Sequence, residues 1–599
     1  MEQTGTLPER KDIPAEDKWK IEDLYENDEK WEREFEQLEK LTEEFKRFRG
    51  KAGENGRTLL ETLTAQDEIA KLQERVYVYA SQKNHEDMGN NVYQQLFLRA
   101  QTLTSRILDS CSFVEPEILN IPDERLAAYL KEEPGLGLYR RYLFEKRRMK
   151  AHILTEEMEG VLAKASPMGN APGNIFQMFN NADLDFGMIT GEDGQPVQLT
   201  HGRYIQFLES RDRRVRREAF ETLYRKYKEF QNTLAAVFEA NVSQELFFSR
   251  MRKYGSSLEA ALDGGNIPVS VYDGLICEVH RNLYRMHEYI ALRKKMLGLN
   301  ELHMYDVYVP LARQKEEHYT FAEAKKIVKE GLAPLGEEYL AILQEGFDNG
   351  WIDVRENQGK RSGAYSWGAY GTHPFVLMNY NGSLNHVFTL AHEMGHAIHS
   401  YYSDRAQPYP YAGYRIFVAE VASTCNEALL IHDLLRKAED KEEKKYLINY
   451  FLDQFRGTLY RQTMFAEFEQ KVHRMGQEGK SLTAETLCKI YYDLNREYFG
   501  EDMVIDEQIA LEWARIPHFY TPFYVYQYAT GFSAAIAISS KILKGEPGIV
   551  EKYKKFLSQG SFQDPIDLLK ICGVDMTSPE PVKEALAVFG EYLEELRQL

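Results

Sequence analysis

Cysteine is scarce in this chain and has no pattern. The five residues, at 111, 277, 425, 488 and 572 of 599, are odd in number, and no two have CxxC spacing. A disulfide framework and a thiolate metal site are therefore not expected, and a reducing compartment is. Long hydrophobic runs are also missing. No stretch approaches the ~18 apolar residues of a membrane helix. The most apolar one, 529–538, is short and rich in Gly, Ser and Ala, which suits close helix packing. Positive charge is in the minority: 74 Lys and Arg against 93 Asp and Glu leave a formal net charge of −19. A phosphate-backbone partner needs clustered basic residues, so no nucleic acid is expected as a ligand, whereas cationic peptides would be attracted. The first residues, Met1 to Gly5, have neither the basic nor the apolar region of a signal peptide, so the expected location is the cytoplasm. No fixed-period repeat or low-complexity tail is found, and no pattern specifies an oligomeric state.

What is present is an ordinary globular mixture, 43% hydrophobic and 28% charged, long enough for a large core and more than one lobe. Helical periodicity dominates. Trp31, Phe35, Leu38, Leu41, Phe45 and Phe48 form one apolar stripe that Gly50 stops. Similar patterns run through much of the chain, and the fold class is mainly α. Short apolar segments at 184–189 and 196–200 flank Gly191-Glu192-Asp193-Gly194, a hairpin signal. Together with the Pro/Gly/Asn-rich stretch Ser166 to Gly173, the hairpin suggests a seam, with an N-terminal helical lobe over 1–200 and a catalytic lobe over 201–599. Strand signals near 351–354, 363–370 and 374–380 predict a small sheet. Its edge could pair with an extended peptide backbone. Gly363, Gly368 and Gly371 suggest either a closely approached loop over a substrate or ordinary turn chemistry, and Gly371 is taken as a candidate substrate-binding position.

Residues 392 to 396 read His-Glu-Met-Gly-His. Two histidines four apart share one face of a helix, so both imidazoles reach one metal ion. Glu393 between them is placed to act on water rather than to bind metal. Ser383 is the expected N-cap, and the apolar spacing from Val387 to Ile398 predicts a helix of about 18 residues. Phe388, His392, Gly395, His396 and His399 share a stripe, and Gly395 sits where a side chain would crowd the metal or the opposite wall. Catalytic zinc takes three protein ligands. Glu420, 24 residues beyond His396 and after a Tyr/Pro/Gly-rich loop, is the expected third, and Glu427, two turns on, is expected to orient a ligand histidine. His399 lies a turn beyond His396 and suits a supporting or core hydrogen-bonding role. His386 reads as a loop partner, and His373 as a strand-edge residue.

His-Glu-Met-Gly-His followed by Phe417-Val418-Ala419-Glu420 resembles the thimet-oligopeptidase-like zinc metallopeptidases, and within them the bacterial oligoendopeptidase F branch. Leu7 to Tyr25, Leu302 to Tyr308 and Pro517 to Gly531 agree with that branch, so the resemblance spans essentially the whole chain. It implies an elongated, two-lobed helical molecule with a deep substrate channel, one Zn²⁺ per chain and short peptide substrates. Hydrolysing an amide develops an oxyanion that needs donors. His518 and the tyrosines at 520, 524, 526 and 528 offer them, and related peptidases use a His and a Tyr from this region. The resemblance carries those roles onto His518 and Tyr526, with Tyr524 and Tyr528 as alternatives and Tyr520, Tyr524 and Tyr528 as substrate-binding candidates.

The expected function is hydrolysis of internal bonds in short unfolded peptides, with Glu393 as general base. The alternative is a zinc carboxypeptidase or dipeptidase, in which Arg515 or Lys360 would capture a peptide terminus. A helical scaffold with a structural metal is disfavoured by the lack of repeats and of Cys ligands.

Overall fold

The computed structural model describes residues 7–312 and 318–599. The first long helix, Asp28–Phe45, begins where Asn27 accepts the N–H of Lys30, and it buries Trp31, Phe35, Leu38 and Phe45 as the stripe requires. Gly50 takes φ +79 beyond its end. Helices Gly56–Glu86 and Asn91–Cys111 pack against it, each capped by an Asn. The indole of Trp31 donates to the carbonyl of Val76 at 2.9 Å, which satisfies its one polar atom in a dry core.

Contacts divide the described residues into two compact units, and neither is continuous in sequence. Unit 1 draws on Met1–Ala151, Glu317–Asp433 and Ile538–Cys572; unit 2 draws on His152–Glu316, Leu434–Ala537 and Gly573–Leu599. The boundary expected near 200 falls inside unit 2. The stretch 166–173, read from composition as a seam, is largely helical. Helix Glu156–Gly169 contains Pro167 near its end, and Pro172 opens helix Ala171–Met178 in its first turn, where a missing N–H leaves no bond unmade. The hairpin is present: Met188–Thr190 pairs antiparallel with Pro196–Gln198. Leu302–His303 pairs in parallel with Met503–Val504, a two-residue ladder too short to leave a pattern in the sequence.

The expected small sheet lies in unit 1. Its central strand, Phe375–Leu377, pairs in parallel with Ile352–Asp353 and antiparallel with Tyr365–Trp367. Phe375, Val376 and Leu377 are fully buried, which explains the short uninterrupted apolar run. The N-terminal segment is tied to this sheet by Lys20 N–H to Gly350 O (2.7 Å), Val354 N–H to Asp17 O (2.9 Å) and Gln358 N–H to Pro8 O (2.9 Å). Arg10 pairs with Glu86 at 2.9 Å and also with Asp353, whose second partner is the Lys360 ammonium at 2.6 Å. These buried charges compensate one another next to the strands.

Candidate metal centre

The metal helix runs Leu384–Ala406, and Ser383 caps it by accepting the N–H of His386. Its 23 residues exceed the expected ~18, and Ser403 near its end is buried and bonds the carbonyl of Ala412. A second helix, Ile416–Lys437, lies against it. At Gly395 a Cβ would come within 2.6 Å of the Ser423 Cα and 2.9 Å of the Ala422 carbonyl oxygen. Glycine is there because two helix backbones touch, the opposite wall that the sequence anticipates. Asn426 locks the same crossing, donating to the Ala391 carbonyl at 3.0 Å and accepting from Tyr339.

This contact brings Glu420 to the histidines. Its Oε2 lies 3.5 Å from His392 Nε2 and 3.6 Å from His396 Nε2. Donors ~2.1 Å from one tetrahedral ion stand roughly 3.4 Å apart, so two imidazole nitrogens and a carboxylate oxygen so spaced fit a single divalent cation. His392 turns its other nitrogen to Glu427, with Nδ1 3.0 Å from Oε1. That leaves Nε2 as the outward donor. Burial disfavours charge on the His392 ring, but the carboxylates of Glu427, Glu393 and Glu420 raise it well above an ordinary imidazole. His396 is lowered by burial and by the charge on His392. Glu393 is buried, which pushes it up to about 7 although His392 and the backbone N–H of Ser366 pull it down.

His399 makes no hydrogen bond among the described residues. It is 1% exposed, its Nδ1 is unpaired, and it stacks on Tyr414 at 3.7 Å. It shares the metal stripe as a packing residue, and the hydrogen-bonding role expected of it is not what the structure shows. His386 contacts Asn381 and Ser383 in the turn before the helix. His373 lies 3.0 Å from Asp23 and stacks on Trp351. Gly371 has φ +84 with open space around it; its neighbours Tyr370 and Thr372 line an adjacent cavity.

The aromatic segment belongs to unit 2. His518 is half-buried and stacks in parallel with Tyr524 at 6.0 Å, and its Nε2 lies 3.4 Å from the Tyr528 hydroxyl. Burial and nearby Arg461 hold this imidazole below its ordinary value, so it is neutral near pH 7. Tyr526 opens helix Tyr526–Leu543, is 3% exposed and packs on Tyr272 at 5.1 Å. Tyr520 stacks on Phe176 at 4.3 Å. The tyrosines grouped with His518 are thus 524 and 528. The register is set by Phe523, whose φ of +51 reverses the chain and whose N–H bonds the buried Glu469 at 3.1 Å.

Two family models match the chain: the one described as Peptidase family M3 covers residues 206–588, and the one described as Oligopeptidase F covers 117–186. The chain belongs to peptidase family M3. The oligopeptidase PepF of Bacillus subtilis (strain 168) is 48% identical over 99% of this chain and 88% of that protein. The crystal structure of oligoendopeptidase-F from Enterococcus faecium has a TM-score of 0.76 at 38% identity, covering 95% of this chain and 99% of that one. A crystal structure from Chlamydophila abortus reaches 0.90 at 34% identity, over 99% and 100%. This M3 chain is an oligoendopeptidase, and the family is one of metallopeptidases. Its fold is mainly helical with small sheets, as the sequence indicates. No helix among the described residues is long and apolar enough to cross a membrane.

Lys360 and Arg515 are the two cations that the terminal-fragment alternative would use to capture a peptide terminus. The side chain of Lys360 is fully buried and bonds Asp353 and the carbonyls of Arg355 and Met378. Arg515 faces Glu512 at 3.6 Å and lies over the Tyr204 ring at 4.9 Å. Both are already committed to internal partners. Sequence reasoning missed Ser366, whose backbone N–H reaches Glu393, and Asn426 at the helix crossing. The first acts through its backbone and leaves no sequence signal. The second had only its polarity on an apolar helix face as a clue.

Proposed function

We propose that the chain is a zinc-dependent endopeptidase that cuts internal bonds of short unfolded peptides, with one Zn²⁺ held by His392, His396 and Glu420. The observation that carries this reading is the convergence of those three donors, with Glu427 fixing the His392 ring. A bound cation supplies Lewis acidity, which makes water nucleophilic near neutral pH. Glu393, buried beside the donors, takes the proton of the attacking water and hands it to the leaving amine. Glu427 keeps His392 in the tautomer that presents Nε2. The outer strand Tyr365–Trp367 offers backbone groups to an extended peptide, which gives affinity with little demand on side chains.

His518 and a tyrosine of the same segment are assigned to donate to the developing oxyanion. Sequence analogy names Tyr526. The burial of Tyr526 and the grouping of Tyr528 and Tyr524 with His518 argue for Tyr528 first, since a donor must be reachable by substrate. Tyr520, Tyr524 and Gly371 are assigned to substrate contact, and the cytoplasm is the proposed compartment, on the strength of five free thiols. The terminal-fragment reading is disfavoured because Lys360 and Arg515 are engaged internally. A peptide acetylated at one end and amidated at the other, incubated with and without chelator, tests the reading. We expect internal cuts that the chelator stops and zinc restores; release of terminal residues only, or cleavage indifferent to chelator, overturns it.

A further inference from the structure

A cavity of about 550 Å³ lies beside the strand that touches Glu393, and every lining residue belongs to unit 1. Ser366 to Gly368 line it, and the N–H of Ser366 reaches the proposed base. Asp404, from the last turn of the same helix that carries the histidines, lines it too, together with Glu74, Tyr370 and Tyr409. Asp404 makes no hydrogen bond or ion pair among the described residues. Glu74 accepts only the backbone N–H of Tyr370. Arg405, next in the chain, is held over the Tyr401 ring at 4.1 Å. Lys71 sits over the faces of Tyr370 and Tyr409, 5.9 and 5.6 Å from their centres, and pairs with neither carboxylate. The cavity therefore combines two carboxylates without an ion-pair partner, a tyrosine pair whose faces are covered by Lys71, and direct continuity with the strand that reaches Glu393.

We propose that this cavity is a substrate subsite for a cationic group of the peptide, an ammonium or guanidinium, with Asp404 as its counter-ion and Glu74, Tyr370 and Tyr409 as supporting walls. The inference rests on the peptidase reading and names the substrate class that reading leaves open. An uncompensated carboxylate is costly to bury. Here burial and the neighbouring Glu74 push Asp404 up to about 7, and an incoming cation would offset both. Asp404 lies eight residues beyond His396 on one helix, ~12 Å along its axis. An extended peptide rises ~3.3 Å per residue, so the cation would be carried some three or four residues from the scissile bond. Either a chain-terminal ammonium or a Lys or Arg side chain can supply it.

The test uses the full-length zinc-loaded enzyme and a nested set of peptides around one cleavage site. Each position in turn carries Lys, Arg, norleucine or citrulline, and each peptide has a free or an acetylated N-terminus. Wild type should prefer the charged member at one position by about tenfold or more in kcat/KM. Asp404→Asn should reduce that ratio to near one while cutting the norleucine peptide at the wild-type rate. Binding to the Glu393→Gln protein, with and without Asp404→Asn, should show the same loss of discrimination in Kd, independent of turnover. If acetylation removes the preference, the ammonium is the ligand; if norleucine removes it, the side chain is; both outcomes support the subsite. Metal-dependent cleavage with no charge preference at any position, or a preference untouched by Asp404→Asn, overturns the subsite and leaves the peptidase reading standing. No metal-dependent cleavage of any peptide overturns both. Should Asp404→Asn fail to cut the norleucine peptide, Glu74→Gln replaces it and should lower the same ratio; an unchanged ratio there overturns the subsite.

Discussion

Glu427 illustrates how much of this site depends on a residue that is no ligand. Its contact with His392 Nδ1 leaves Nε2 to face Glu420 and His396. Glu427→Gln should weaken metal binding roughly 10- to 100-fold, measured by chelator competition, with the protein still folded. Unchanged affinity would mean the contact is incidental. At the aromatic segment, Tyr528→Phe should lower kcat by roughly 10²–10³-fold with KM little altered, while Tyr526→Phe should mainly affect thermal stability. The reverse pattern would return the oxyanion role to Tyr526. The candidate metal donors were legible in the sequence because helix geometry alone puts residues i and i+4 on one face, and because one carboxylate followed at a distance a loop could close. Asp404 and Ser366 were not legible: the first looks like any acid at a helix end, and the second contributes only a backbone N–H.

The crossing of the two helices is what converts a motif into a centre. Gly395→Ala would force the Ser423 backbone away from a Cβ only 2.6 Å distant. The gain in helix propensity, about 1 kcal/mol, is smaller than the ~1–3 kcal/mol usually lost to overpacking, so the variant should unfold at a lower temperature and bind metal less tightly. A thermal midpoint at or above wild type would show that the helices separate freely. Buried packing carries both helices: Val387, Leu390, Ala391, Met394, Val421 and Leu429 are all fully enclosed. Chelation should therefore abolish activity and leave far-ultraviolet circular dichroism unchanged; loss of helix on chelation would mark a structural metal instead. Apolar periodicity reveals helices such as Asp28–Phe45, which bury one stripe, whereas these two are enclosed on most sides. It failed at 166–173, where two prolines and two glycines read as a break although Pro172 sits in a first turn and Pro167 only near the end of its helix.

For the molecule as a whole, a sequence read from left to right suggests consecutive lobes, whereas folding builds each unit from three separated segments. Composition cannot show that, because every segment has the same helical character. The N-terminal segment makes the point: Pro8, Asp17 and Lys20 bond to residues 350–358, more than three hundred positions later. Net charge acts at this scale too. With a formal −19, association with cationic peptides should be steered at long range. Raising salt from ~10 to ~150 mM shortens the screening length from ~30 to ~8 Å. The kcat/KM for a cationic peptide should fall over that range more steeply than for a neutral one; parallel curves would remove the steering argument. The claim on which everything else depends is that a cation held by His392, His396 and Glu420 works together with Glu393. Turnover and zinc content measured on one preparation of Glu393→Gln test it most directly. Near-stoichiometric zinc with turnover reduced by at least 10²-fold is expected; a zinc-loaded variant that cuts peptides at the wild-type rate would contradict it.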